Sequence, residues 1–242
     1  MRGVALLAAL FFVTHLFGSA GNITSLTGPT QITRNGKDKL RAEVSTPVEM
    51  NDTVETLESR TGITFSDETK VSVTEHSKLV IDTFVYDPAA GQGKIGMKAA
   101  LGTVRYTSGK IARANHASVN VQTPTASVAV RGTDFSMTVD EMGKSLVILL
   151  PSLNKVDGKY KVGVIDVKTD AGSVTLDKAF EATVVTSAFT PPTAPVVLNI
   201  DESGVGNNLL LDSPKELGNN GPTVREKADR DAQSQQIKKM YE

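Results

Sequence analysis

From residue 21 to about residue 200 the chain advances in short apolar runs cut by Gly, Pro, Asn and Asp, and no helical period is sustained. Ile63 with Phe65, Val71 with Val73, Leu79-Val80-Ile81, Val119 with Val121, and Ser145 to Leu150 are such runs. Side chains on a strand alternate faces, so the alternating runs bury one face and the unbroken "LVILL" buries both. Thr and Val dominate these runs, and both suit a pleated backbone. Turn signals fall at Arg34-Asn35-Gly36-Lys37, Pro88-Ala89-Ala90-Gly91, Ser108-Gly109, Asp157-Gly158 and Asp170-Ala171-Gly172. Short strands at even spacing predict an all-β sandwich or roll. The stretch "TVETLES" around Val54 is open to a helical or a strand reading, and helix-like pattern is otherwise confined to the two ends.

One stretch poses a question. In "TASVAVRGTDFSM", Ala126, Val128 and Val130 alternate, as do Phe135, Met137 and the following Val139, while Arg131-Gly132-Thr133-Asp134 interrupts them. Those four residues form either a binding point or a corner between two strands. The structural reading gives Gly132 a bend or a positive φ, Thr133 a capping role and Phe135 a place in the core. The functional reading makes Arg131 and Asp134 a polar binding point. Nearby lies a short internal repeat: "VNVQTPTASVAV" at 119–130 overlies "IDVKTDAGSVTL" at 165–176. Val121, Thr123, Ser127 and Val128 recur as Val167, Thr169, Ser173 and Val174, which suits two hairpins of one kind. The second copy has Asp177-Lys178 where the first has Arg131-Gly132.

Composition narrows the function. The 242 residues carry 26 Lys plus Arg against 27 Asp plus Glu, so no basic field draws in nucleic acid. With no Trp, eight Phe and four Tyr there is little for a stacking platform. The absence of Cys removes thiol nucleophiles, iron–sulfur clusters, cysteine zinc sites and disulfides. His15, His76 and His116 are the only imidazoles, a poor catalytic inventory. Asp166, Asp170 and Asp177 flank one hairpin but lack the dense Asp/Asn alternation of a calcium loop. Glu75 and His76, read as neighbours on a strand, point to opposite faces with no nucleophile in view, and Ser108-Gly109-Lys110 lacks a phosphate loop's spacing and reads as a hairpin turn. No catalytic residue, metal or cofactor is expected.

The first 20 residues combine Arg2, an apolar run from about Val4 to Phe17, and Gly18-Ser19-Ala20, the order of a signal peptide. No later window is apolar enough to span a membrane, so no span is expected after residue 20. Pro191, Pro192 and Pro195 end the strand pattern, and from about residue 201 the chain reads as a flexible or partly helical tail. The expected organisation is a signal peptide at 1–20, a β domain at 21–144, a second β-rich unit at 145–200 and the tail at 201–242.

Four ordered pieces carry a resemblance. "GNITSLTGPTQITRNG" contains Gly28, and "MNDTVETLESRTGITFSDETKVSV" contains Asp52 and Thr56. "LGTVRYTSG" contains Gly102, and "VQTPTASVAVRGTDFSM" contains Thr123, Pro124, Gly132, Thr133 and Phe135. Together they resemble the FecR domain, the periplasmic domain of the iron-dicitrate sensor and anti-sigma regulator family, over residues from 21 to about 140. Where that family has an Asp-Gly-Ser turn this chain has Asp67-Glu68-Thr69, so the turn must form without glycine. The resemblance implies the fold and gives those nine residues structural roles. It does not carry anti-sigma activity, because the FecR-like region here follows directly on a signal-peptide-like segment. The expectation is an exported, non-enzymatic binding or assembly module whose partner is an envelope protein or surface polymer. A phage-encoded virion or host-surface protein, an iron-signalling component, and an envelope hydrolase stand behind it as alternatives.

Overall fold

The computed structural model describes residues 18–115, 118–153 and 160–198. His15, His116, the tail at 201–242 and all of the signal-peptide segment except Gly18, Ser19 and Ala20 lie outside the described residues. Ala20 is already part of the fold: it is buried, and its N–H donates to the Val48 carbonyl at 2.8 Å.

The chain is all-β. Its strands are β1 (Gly21–Leu26), β2 (Thr30–Arg34), β3 (Asp38–Arg41), β4 (Pro47–Val48), β5 (Thr53–Thr56), β6 (Thr61–Phe65), β7 (Lys70–Val73) and β8 (Lys78–Asp87). There follow β9 (Gln92–Thr107), a short helix α1 (Lys110–Ala114), β10 (Val119–Gln122), β11 (Ser127–Arg131), β12 (Asp134–Val139) and β13 (Ser145–Leu150). The last are β14 (Ser152–Leu153), β15 (Tyr160–Lys161), β16 (Val164–Thr169), β17 (Gly172–Leu176), β18 (Glu181–Val185) and β19 (Val196–Val197).

These strands form two layers. The front sheet runs β4-β1-β6-β7-β9-β12-β13-β18-β19. The back sheet runs β3-β2-β5-β8-β9-β10-β11-β16-β17. β14 and β15 pair separately. β9 belongs to both layers: residues 92–101 pair with β8, residues 102–107 with β7 and β12. The strand changes layer at Gly102, where φ is +81° and a Cβ would fall inside the Ser77 side chain, so only glycine makes this bend.

The chain crosses between layers at several corners, which puts the hairpins β2–β3, β8–β9, β10–β11 and β16–β17 in the back sheet and β6–β7 and β12–β13 in the front. Ile63, Phe65, Val71, Val104, Phe135, Met137 and Val147 face inward from the front, and Ile32, Val54, Leu79, Ile95, Met97, Val128 and Ile165 from the back. Phe65 of the front sheet stacks on Phe84 of the back at 5.4 Å. β13 is buried on both faces: Val147 and Leu149 enter this core, while Leu146, Ile148 and Leu150 pack outward with Ala182, Val184 and Leu198. Residues 145–198 thus continue both sheets, β13 beside β12 and β16 beside β11, and share the core of the preceding residues.

Two local expectations are corrected. Ser108-Gly109 is not a hairpin turn but the entry to α1, after which β10 returns parallel to β9, with Val119 beside Ile95. A parallel return needs a crossover, and α1 supplies it, burying Ile111 and Ala112. Glu75 and His76 are not on a strand; they form the corner between β7 and β8, with His76 at φ +52° and Glu75 bonded to Arg60 Nε at 2.8 Å. "TVETLES" resolves as β5 followed by a corner. The Asp67-Glu68-Thr69 turn forms without glycine by placing Glu68 at φ +70°.

Candidate functional site

The β11–β12 corner is where the chain leaves the back sheet for the front. Gly132 has φ +61° with open space where a Cβ would sit, the nearest atom being the Ala112 carbonyl at 3.7 Å, so its requirement is backbone conformation alone. Thr133 is fully buried, and its Oγ1 accepts from the Gly163 N–H at 3.2 Å. Its carbonyl accepts from the Ser108 hydroxyl at 2.6 Å. Gly163 closes over this corner so tightly that a Cβ there would lie 2.5 Å from Thr133 Cβ and 2.6 Å from the Arg131 carbonyl. Phe135 is buried and stacks on Tyr106 at 5.1 Å.

Arg131 and Asp134 part company. Arg131 lies on the outer face of the back sheet and pairs with Asp166 of β16, whose other oxygen accepts from Thr175 Oγ1 at 2.7 Å. Asp134 is buried, 8% exposed, on the face of β12 opposite Phe135; its Oδ1 accepts from the Ser108 N–H at 3.3 Å. Burial raises its pKa above the ordinary aspartate value, and the Ser152 hydroxyl, Arg105, the Ser108 N–H and Arg113 only partly offset that. The two residues therefore do not form one binding point: across the corner at Gly132, Arg131 reaches solvent on the back sheet while Asp134 is buried beside Ser108.

A second buried acid stands on the far side of Ser108-Gly109. Asp67 is fully buried; it accepts from the Thr69 N–H at 3.0 Å, the Thr69 hydroxyl at 2.8 Å and the Ile111 N–H at 3.2 Å. Its own carbonyl accepts from the Lys110 N–H at 2.7 Å. Asp67 thus satisfies the first N–H groups of α1, for which Gly109 offers no side chain. Arg113 returns from the end of α1 to the Ser108 carbonyl at 2.8 Å. Tyr106 lies fully buried between the two acids, its hydroxyl near Thr69 and Ser108 but in no hydrogen bond of ordinary geometry; burial pushes its ionisation far above the usual phenol range. These polar groups tie β7, β9, α1, β11 and β12 together, and the arrangement presents no nucleophile with a base to activate it.

The other motif residues are likewise spent on structure. Asp52 is fully buried and receives Arg34 Nε at 3.0 Å, Arg34 Nη2 at 2.8 Å and the Glu49 N–H at 2.9 Å, a bidentate pair joining β2 to the loop before β5. Thr56 Oγ1 donates to the Thr74 carbonyl and accepts from the Ser77 N–H at 2.9 Å at the next corner. Gly28 lets β1 cross to β2, its missing Cβ site lying 2.8 Å from the Glu58 carbonyl. Thr123 Oγ1 accepts from the Ala126 N–H at 2.9 Å in the β10–β11 turn, and Pro124 packs on Gly143. Among the described residues no three His, Asp or Glu side chains gather as a metal set, and no helix is long and apolar enough to cross a membrane.

Sequence reasoning missed Asp67, Arg105, Ser108, Arg113 and Gly163 as parts of the corner. The one available signal was Arg105, a charge within the alternating "LGTVRYTSG".

Against known proteins, residues 52–151 match the family model described as FecR protein. No curated protein matches the chain. Among solved structures, a candidate anti-sigma factor from Parabacteroides distasonis ATCC 8503 aligns at 14% identity and a TM-score of 0.40, covering 55% of this chain and 54% of that one. The chain thus spans about half the length of that protein.

Proposed function

With residues 52–151 a FecR domain, we propose that this chain works as an exported, non-enzymatic binding and assembly module of the cell envelope, its partner an envelope protein or surface polymer. The observation that carries the reading is the fate of the motif's polar side chains. Asp52, Thr56, Thr133 and Asp134 are all buried and hydrogen-bonded to neighbouring segments, so these polar side chains do not face solvent as reactive groups. What faces solvent instead are sheet edges and rigid turn tips. At one tip Asp140 Oδ1 accepts from the Met142 N–H at 2.9 Å and the Lys144 N–H at 2.8 Å, and this clasp presents Met142 at 91% exposure beside a shallow groove lined by Ala100, Leu101 and Pro124. Surfaces of that kind suit recognition of another macromolecule rather than turnover of a small one.

The test is crosslinking and affinity capture of the tagged full-length chain in its native host, with mass spectrometry of the partners and of the mature N-terminus. Envelope proteins or glycan captured by a chain beginning near Gly21 support the proposal. Retention of Met1 together with capture of virion components overturns it.

A further inference from the structure

The four ends of the two sheets are not alike. β3 ends the back sheet with all four residues exposed and three of them charged, Asp38, Lys39 and Arg41. β4 and β19 end the front sheet and are two residues long, β4 carrying Pro47. Charge, proline and shortness are the means by which proteins keep sheet edges from pairing. β17 has none of them: Gly172, Ser173, Val174, Thr175 and Leu176 make a five-residue, uncharged edge on the back sheet, with Ser173 and Thr175 exposed. Among the described residues β16 is its one strand partner.

The internal repeat shows what this edge accepts. β11 and β17 are equivalent strands of the two copies, Ser127-Val128 corresponding to Ser173-Val174. Each is bound on one side by the first strand of its own hairpin. On its other side β11 holds β16 antiparallel, Val128 opposite Val167, across five residue pairs. Among the described residues no strand pairs with the same side of β17.

We propose that this edge pairs with β17 of a second copy of the chain, antiparallel about a two-fold axis through Val174. In the two-residue loop of the β16–β17 hairpin the closing pair Thr169–Gly172 is hydrogen-bonded, so the alternation turns the N–H and C=O of Ser173 and Thr175 outward. Centred on Val174, the pairing sets Ser173 opposite Thr175 of the second copy, the two residues whose backbone groups are free to exchange bonds. Counted along the chain, Asp170 in the β16–β17 turn and Lys178 just past β17 are equally far from the axis, so each end of the ribbon brings one acidic and one basic residue together, Lys178 Nζ being also 3.1 Å from Glu181 Oε1 of its own chain. Asp170 and Lys178 are both exposed. Phe189, 81% exposed, belongs to the segment bound to the same turn, where the Asp170 N–H donates to the Ala188 carbonyl at 3.0 Å, and it adds apolar surface at each end of the ribbon. Self-association goes beyond the binding role proposed above, since that role requires no second copy.

Sedimentation velocity of the full-length chain over a concentration series tests it. The expected result is a dimer that grows with concentration and is abolished by Thr175→Pro, which removes an outward N–H while leaving the β16 ladder intact. Asp170→Lys and Lys178→Asp should each weaken dimerisation about tenfold through like-charge pairs at both ends of the ribbon. Mixed in equal amounts, the two charge variants should recover wild-type association as a heterodimer, because each then supplies the charge the other lacks. A wild-type chain that stays monomeric throughout overturns the proposal, and so does a dimer that ignores all three substitutions. Either outcome leaves envelope capture as a separate result.

Discussion

The hairpins β10–β11 and β16–β17 begin from nearly the same sequence and end in different surroundings. Val128 of the first is fully buried in the core between strands on both sides, whereas the equivalent Val174 is half-buried on an edge. After Val130 the first hairpin continues through Arg131-Gly132 into a corner that delivers Thr133, Asp134 and Phe135 to the front sheet. After Leu176 the second meets Asp177-Lys178, whose N–H groups are held by Glu181 Oε2 at 2.8 and 3.0 Å, and the chain also crosses to the front sheet there, but over the exposed end. Two copies of a hairpin thus become an interior unit and an edge unit. The difference lies in what pairs beyond the second strand and in whether the exit turn is enclosed.

The comparison can be broken hardest at Gly163, which encloses the first exit. Gly163→Ala drives a Cβ into Thr133 and the Arg131 carbonyl, and we expect a loss of about 3 kcal/mol or more in denaturant unfolding, at the upper end for single substitutions. Gly132→Ala has room for its Cβ and meets only the left-handed backbone, so about 1–2 kcal/mol is expected. A loss at Gly132 as large as that at Gly163 would show that space, not φ, is limiting there. The two equivalent valines sharpen the contrast: Val128→Ala should cost about 2 kcal/mol and Val174→Ala about half of that, read as a difference in midpoint at unchanged slope.

Asp134 gives a smaller, pH-dependent effect. Its folded pKa is raised, so between its unfolded and folded values the native state holds the proton more firmly, and its contribution to stability falls as pH rises through that window. Asp134→Asn should therefore melt higher than wild type at neutral pH, with the gain shrinking as pH drops below the ordinary aspartate value. A gain that persists unchanged in acid would trace to packing instead. Arg131→Ala should matter least, under about 1 kcal/mol, because its ion pair with Asp166 is about half exposed on the Arg131 side.

Much of the fold was legible in local pattern. Alternation at Val71 and Val73 and at Val119 and Val121 marked strands with one buried face, and the unbroken "LVILL" marked one buried on both. Asn35-Gly36 marked the β2–β3 turn because both residues take positive φ, which Asn and Gly tolerate. The motif in which Gly132 and Phe135 stand was legible as a unit. The helix after Ser108-Gly109 was not, because its first N–H groups are capped by Asp67, 44 positions earlier in the chain. Nor was the separation of Arg131 from Asp134, since a polar pair flanking a bend looks the same in sequence whether it converges or diverges.

The sequence by itself determined that the chain is built of short strands and which residues of an alternating run share a face, since side-chain alternation is a property of neighbouring residues. Only the tertiary structure decided that β9 serves both sheets, that Asp67 and Asp134 stand on either side of Tyr106 beneath one corner, and that β11 is enclosed while β17 is an edge. These depend on pairings between residues far apart along the chain, and the energy of a buried carboxylate or an open strand edge is set by what the rest of the fold brings beside it.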